Sequence, residues 1–286
     1  MPLTISIINL KGGVGKTTLT TAMAEFMAVQ HQLKVLVMDL DPQTNATVSL
    51  MDEYEWKKRN IKGQTIMQIF KDRLAHQREF SAKESIVRSV SNIGGGIKGL
   101  DLLPSSLDLI DIQDKIGWIP SNGIFCQRPI TLLGEAMAEA MNDYDVVLID
   151  CPPNLGLITQ NGLVLSQYYL IPVLPDVLST YGIPQIVNRV KRLQKETGIP
   201  IEPMGVVINR YRQKSKLHLA QTKILQQEAE KGGYKRVFEV IIPEASRAAA
   251  AMDYTLEVNT LHDKYSYDAP YKQYKQLAEE VLQYGS

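Results

Sequence analysis

The octet Lys11-Gly12-Gly13-Val14-Gly15-Lys16-Thr17-Thr18 lies between an apolar run at residues 3–9 and a segment of helical period at residues 16–29. Strand, glycine-rich turn and helix in that order constrain the chain strongly. That succession fits the opening of an α/β fold. The turn itself has a chemistry. Glycines let successive backbone N–H groups point inward around an anion, and the helix that follows directs the positive end of its dipole to the same place. The standard phosphate-binding loop, G-x-x-x-x-G-K-[ST], would have glycine at position 10, where this chain has Leu10. The motif is therefore a deviant, with two lysines bracketing its glycines. Lys16 is placed for the β- and γ-phosphates of a nucleotide and the Thr17 hydroxyl for Mg²⁺.

The remainder of the chain agrees with that start. Short runs rich in Val, Ile and Leu recur at residues 33–39, 100–104, 145–150, 168–173, 203–208 and 236–242. They are separated by longer segments of helical period, clearest at 131–141, 184–195, 217–230 and 268–283. Continuous apolar runs are what strands buried on both faces look like, so a mostly parallel twisted sheet with helices on both faces is expected, a P-loop NTPase architecture. With 286 residues, 44% of them hydrophobic, the chain reads as a single domain spanning 1–286. In the final helix Tyr271, Tyr274, Leu277 and Val281 form a stripe that should pack on the body. Residues 50–99 mix charges into weak helical segments before the Gly94-Gly95-Gly96 break and read as surface helices. Residues 120–129 read as an irregular connection, and 248–251 as a helix segment.

Two carboxylate sites fall at expected strand ends, where an open parallel sheet binds its ligands. One is Asp39-Leu40-Asp41-Pro42-Gln43; the other is Asp150, followed by Cys151-Pro152-Pro153-Asn154-Leu155-Gly156. A Mg·ATP site needs acidic groups near the metal and a group to orient water, and these positions supply both. No Ser-His-Asp or Cys-His arrangement competes for catalysis. Two cysteines, Cys126 and Cys151, and four scattered histidines offer neither a disulfide framework nor metal-ligand spacing. The first apolar run is too short for a signal peptide and no stretch reaches the length of a membrane span, so a cytoplasmic protein with no membrane partner is expected. Net charge is zero, but residues 185–236 hold twelve Lys/Arg against four Asp/Glu. Such a patch can neutralise phosphates.

These motifs, in this order and strand context, resemble the ParA/MinD family of deviant Walker-type ATPases, and the resemblance is to the ParA-like branch. It rests on residues 11–18 as the deviant Walker A, 39–43 as the A′ motif and 146–156 as the Walker B and switch region. Weaker echoes occur in Leu102-Leu103-Pro104-Ser105, Ile171-Pro172-Val173 and Ile241-Ile242-Pro243. The resemblance implies ATP and Mg²⁺ as cofactors and an ATP-sandwich homodimer in which Lys11 reaches the partner subunit's phosphates. It implies that Asp41 orients the attacking water, that Asp39 and Asp150 hold Mg²⁺ through its water shell, and that Thr18 contacts the α-phosphate. Gly12, Gly13, Val14 and Gly15 would line the phosphates, and Asn209 with the backbone around Pro243 would hold adenine. Further implied are nonspecific DNA binding at the nucleoid, an adaptor protein that stimulates hydrolysis, and a plasmid, chromosome or protein organelle such as a carboxysome as cargo. Arg189, Lys191, Arg192 and Lys195, then Arg210, Arg212, Lys214 and Lys216, are the candidate basic surface. Two alternatives use the same loop: a MinD-like membrane-associated regulator, and a metal-cluster carrier built on cysteines. The sequence departs from the family at Thr44, where glycine commonly follows the Pro-Gln pair, and matches poorly over 50–99.

Overall fold

The computed structural model describes residues 1–116, 129–267 and 269–285. Among them seven strands form one sheet: β1 (Leu3–Ile7), β2 (Val35–Asp39), β3 (Leu100–Leu103), β4 (Val146–Asp150), β5 (Tyr168–Val173), β6 (Glu202–Tyr211) and β7 (Val237–Pro243). Their order is β3-β2-β4-β1-β5-β6-β7, and every pairing between these strands is parallel. All seven expected strands are present, most within two residues of their expected ends. β6 runs three residues further, which brings Asn209 and Arg210 inside the strand instead of beyond it.

Alternation within each strand divides the core in two. Val35 and Val37 face one cluster with Ile5, Ile7 and Leu148, against the helices Lys16–Gln30 and Tyr271–Gly285. Leu36 and Met38 face the other with Val147 and Ile149, against Leu132–Met137, Leu157–Leu165 and Val177–Thr197. A two-residue period with apolar partners on both sides is why the runs read as unbroken hydrophobic stretches. The C-terminal stripe packs as expected: Tyr271, Tyr274, Leu277 and Val281 are buried, and Phe26 meets Tyr271 edge-on at 5.0 Å.

Two expectations about helices need correction. The segment expected over 184–195 is the longer helix Val177–Thr197, because the Asp176 side chain accepts the Ser179 N–H and caps it early; Pro184 then falls inside the helix. The segment expected over 131–141 ends at Met137 and gives way to the 3₁₀ turn Ala140–Asp143. The helix Glu53–Ile61 lies on the surface as expected, with Trp56 as its buried contact, and Met67–Ala75 buries Met67, Ile69 and Phe70. Asp268 and most of 120–129 lie outside the described residues; the final helix is described from Tyr271.

A buried ion pair fastens the phosphate-loop helix to distant chain. Glu25 of Lys16–Gln30 is inaccessible; its Oε1 accepts from Lys264 Nζ at 2.7 Å and Ser91 Oγ at 2.6 Å, and its Oε2 from Tyr265 Oη at 2.7 Å. Removing one member of such a pair strands the other charge, which costs about 3–5 kcal/mol, whereas replacing both by apolar groups is often near neutral. Lys264→Met should therefore lower the urea midpoint far more than Glu25→Met combined with Lys264→Met. Equal losses in the two variants would show that the pair is not the cause.

Candidate nucleotide site

β1 is central, with β4 and β5 as its neighbours, and the loop that leaves its C-terminal end carries the octet. Gly13 has φ 74° and Gly15 φ 85°, left-handed values that a side chain at either position would strain. A Cβ added to Gly12 or Gly13 would meet nothing within 4 Å, so this side of the loop is an open cradle. The other side is closed: a Cβ on Gly15 would lie 2.3 Å from Asn209 Nδ2. Asn9 tethers the loop's entry, donating to the Pro172 carbonyl at 2.7 Å and accepting the Lys11 N–H at 2.9 Å. The loop borders a cavity of about 530 Å³ lined by Lys16, Thr17, Thr18, Asp41, Asn209 and Pro243, among others. A more open hollow of about 800 Å³ shares Glu244 and Ala245 with it but includes no residue of the phosphate loop.

The two lysines of the octet differ sharply in setting. Lys16 is buried, with its ammonium 3.5 Å from the Lys11 carbonyl; burial pulls its pKa down while Asp150 and Asp41 oppose that. Lys11 is turned away from its own loop and donates to Asp176 Oδ2 at 2.7 Å. Burial works against ionisation of Asp176, but the Lys11 ammonium and the Ser179 N–H outweigh it and hold this carboxyl below the usual range. Asp176 was not among the expected site residues. Its sequence signal is an Asp shortly after β5 and directly before the apolar Val177 and Leu178, a pattern of helix starts.

Asp39 and Asp150 end neighbouring strands in register, both with no solvent exposure. Asp150 accepts from Thr17 Oγ at 2.7 Å and Thr20 Oγ at 3.3 Å. Asp39 accepts the Asp41 N–H on one oxygen, and the Thr47 N–H and hydroxyl on the other. Asp39 is thus spent on the loop that carries Asp41, and Asp150 is the carboxylate that reaches the phosphate-loop threonine. Burial, before any neighbouring charge, raises both; Asp39 goes well above the usual carboxylate range and Asp150 up to about 7. Asp41 lies just past the strand, 7% exposed, with Oδ1 accepting the Gln43 N–H at 3.0 Å. Thr44, where the family commonly has glycine, takes φ 56° and donates its N–H to the Asp41 carbonyl at 2.9 Å. A threonine here adopts the turn that glycine would supply, at a cost of roughly 1–2 kcal/mol.

The far wall is built by the ends of β6 and β7. Asn209 donates from Nδ2 to the Val14 carbonyl at 2.8 Å and accepts the Arg210 N–H. Arg210, at φ 53°, donates to the Gly13 carbonyl at 2.8 Å and pairs with Glu244, which Arg212 also engages at 2.6 Å. Two of the candidate DNA-facing arginines are therefore committed to the edge of this pocket. Cys151 is buried beside Asp150 with its thiol pushed up by that burial, and Cys126 lies outside the described residues. Among the described residues no group of three or more His, Cys, Asp or Glu is arranged to hold a metal on its own, and no helix is long and apolar enough to cross a membrane.

A model of the AAA domain family matches residues 3–202. The chain is also 29% identical to the chromosome-partitioning ATPase Soj of Treponema pallidum (strain Nichols), across 99% of its own length and 98% of that protein. The chain belongs to the ParA/MinD family. In fold, this family member is similar to a putative plasmid partition protein from Borrelia burgdorferi B31 bound to AMPPNP, with TM-score 0.74 and 23% identity over 99% of each chain. It is also similar to cobyrinic acid a,c-diamide synthase from Mycobacterium smegmatis with bound ATP analog and magnesium, with TM-score 0.75 and 22% identity over 99% of this chain and 95% of that one.

The buried carboxylates predict a pH dependence of the nucleotide-free protein. Burial pushes the Asp150 carboxyl up to about 7 in the folded chain from its ordinary value of 3.8, so the folded state holds more protons between those values. Its contribution to stability is then present below about 4 and is lost as the pH rises through about 7. Asp150→Asn removes that loss. Its thermal midpoint relative to the parent should be more favourable at pH 8 than at pH 5, and a difference independent of pH would contradict the assignment.

Proposed function

We propose that the chain is a Mg²⁺-dependent ATPase that works as an ATP-sandwich homodimer, binds DNA without sequence preference and positions or partitions a cargo. The observation that carries this reading is the division of labour between the two lysines. Lys16 is buried against its own loop, whereas Lys11 is held 36% exposed by a side chain of another segment. A cation held there is available to a second copy. ATP would lie in the open cradle of Gly12 to Gly15, with Thr18 toward the α-phosphate and adenine between Asn209 and Pro243. Mg²⁺, when bound, supplies charge neutralisation on the phosphates, and the Thr17 hydroxyl and Asp150 would hold it, with Asp39 behind them. The fit is supported by the 2.7 Å Thr17–Asp150 bond at the end of the phosphate loop.

Phosphoryl transfer asks the protein for positioning and charge more than for covalent chemistry. In this reading Asp41 orients the attacking water and Lys16 meets charge on the β- and γ-phosphates from within the subunit. Lys11 meets it from the partner, the role of an arginine finger, worth roughly 10³–10⁵ in rate in GTPases. Hydrolysis then waits for dimerisation. Slow turnover suits a positioning switch, and an adaptor protein linked to a chromosome, a plasmid or a protein organelle such as a carboxysome would accelerate it. Lys11→Ala should bind Mg·ATP but lose roughly 10³-fold in turnover. Asp41→Ala should accumulate as an ATP-bound dimer in light scattering and, used as bait, capture the adaptor. Hydrolysis by Lys11→Ala at the parent's rate would end the dimer reading.

For DNA, the side chains that carry the proposal are Arg189, Lys191 and Lys195 on Val177–Thr197, all exposed, with Lys214 and Lys216. Arg192 pairs with Glu196, and Arg210 and Arg212 with Glu244. Such a protein would act in the cytoplasm, at the nucleoid. The membrane alternative finds less support, because the apolar stripe of the C-terminal helix is buried on the body. Each phosphate neutralised steepens the fall of log K with log salt by about 0.9, so six contacts imply roughly a 10³-fold loss between about 50 and about 200 mM salt. Arg189→Glu with Lys195→Glu should flatten that slope in the presence of Mg·ATP. Binding that ignores salt would overturn the DNA reading.

A further inference from the structure

Ser105 stands just beyond β3, at the end of a segment with no part in the nucleotide site as described above. It is wholly buried, and each of its polar groups goes to a different place. Its N–H donates to Thr47 Oγ at 2.9 Å, its carbonyl accepts the Trp56 indole N–H at 2.9 Å, and its hydroxyl donates to the Asp41 carbonyl at 2.8 Å. Thr47 in turn donates from the same oxygen to Asp39 Oδ2 at 2.7 Å. Through two residues, the loop after β3 therefore grips the Asp39–Asp41 turn from behind, and the helix Glu53–Ile61 grips Ser105.

The hydroxyl bond is not needed to satisfy the Asp41 carbonyl, which already accepts the Thr44 N–H at 2.9 Å. What a second donor adds is direction. A carbonyl held from two sides cannot rotate about its peptide plane, and the carboxylate on the same residue keeps its aim into the cavity. Thr44, in the strained left-handed region, gives that loop a reason to relax if it is released.

We infer that Ser105, seconded by Thr47, is a positioning residue for ATP hydrolysis, holding Asp41 at the angle from which it orients water. This rests on the reading of Asp41 given above. It also gives residues 50–99 a role, since Trp56 makes the helix Glu53–Ile61 the outer member of the brace.

The test separates positioning from folding and from the Asp41 reading. Ser105→Ala should lower kcat at least roughly tenfold while KM, affinity for a non-hydrolysable ATP analogue and Tm stay within about twofold or a few degrees of the parent. Combined with Asp41→Ala it should cost nothing beyond Asp41→Ala alone, because both changes remove one function. Thr47→Val, which keeps the shape and drops the hydroxyl, should repeat the kcat loss, and Thr47→Ser should restore it. If Asp41→Ala is inactive but Ser105→Ala turns over like the parent, the inference is wrong and the reading of Asp41 stands. If Asp41→Ala is itself active, that reading fails first. A Ser105→Ala protein that loses nucleotide affinity and Tm along with kcat, or that fails to fold together with Thr47→Val, makes the brace merely structural and overturns the inference.

Discussion

Two carboxylates, Asp39 and Asp150, stand side by side at the ends of adjacent parallel strands and out of contact with water. Like charges in that position repel and are poorly solvated, and the surroundings can be understood as compensation. Thr17 and Thr20 donate to one, Thr47 and the Asp41 N–H to the other, and Lys16 is drawn into the same buried space. Even so, burial wins and both carboxyls are hard to ionise in the nucleotide-free chain. A site in that condition gains when a cation arrives. This is a physical reason for such a protein to favour a metal-nucleotide complex over the empty state.

The second constraint is the placement of positive charge. Lys16 is buried in the pocket, and the helix that begins with it is fastened to distant chain through Glu25, Lys264 and Tyr265. Lys11 has no such anchor of its own. It borrows one from Asp176, the capping residue of the helix that also carries Arg189, Lys191 and Lys195. In the proposed mechanism one side chain bond thereby links three surfaces: the phosphate loop, the face offered to a second copy, and the basic helix.

Much of the fold could be read from the chain because its determinants are local or periodic. Apolar runs of five to seven residues, bounded by polar turns, have few outcomes other than buried strands, and the seven expected strands formed. The helix boundaries were less legible. The expected start at Pro184 gave way to the Asp176 cap eight residues earlier. The site showed the same division. Residues 11–18 announce themselves by glycine and lysine spacing, and Asp41 and Asp150 by strand ends. Ser105, Thr47, Asp176 and Arg210 are ordinary polar residues in sequence, and they act through partners 64, 58, 165 and 197 positions away, respectively.

By itself, then, the sequence determined the α/β class, the sheet's strands and the phosphate loop, because these follow from side-chain periodicity and from backbone freedom at a few glycines. Tertiary structure alone decided which lysine is captive and which exposed, and that Asp39 supports a loop while Asp150 faces the threonine. It also decided that two arginines of the basic stretch brace the pocket edge at Glu244. The physical reason is common to all three. A charge or hydroxyl acquires its role from whatever opposes it across a buried, poorly screened distance, and that neighbour is chosen by strand order and crossover, which no local pattern encodes.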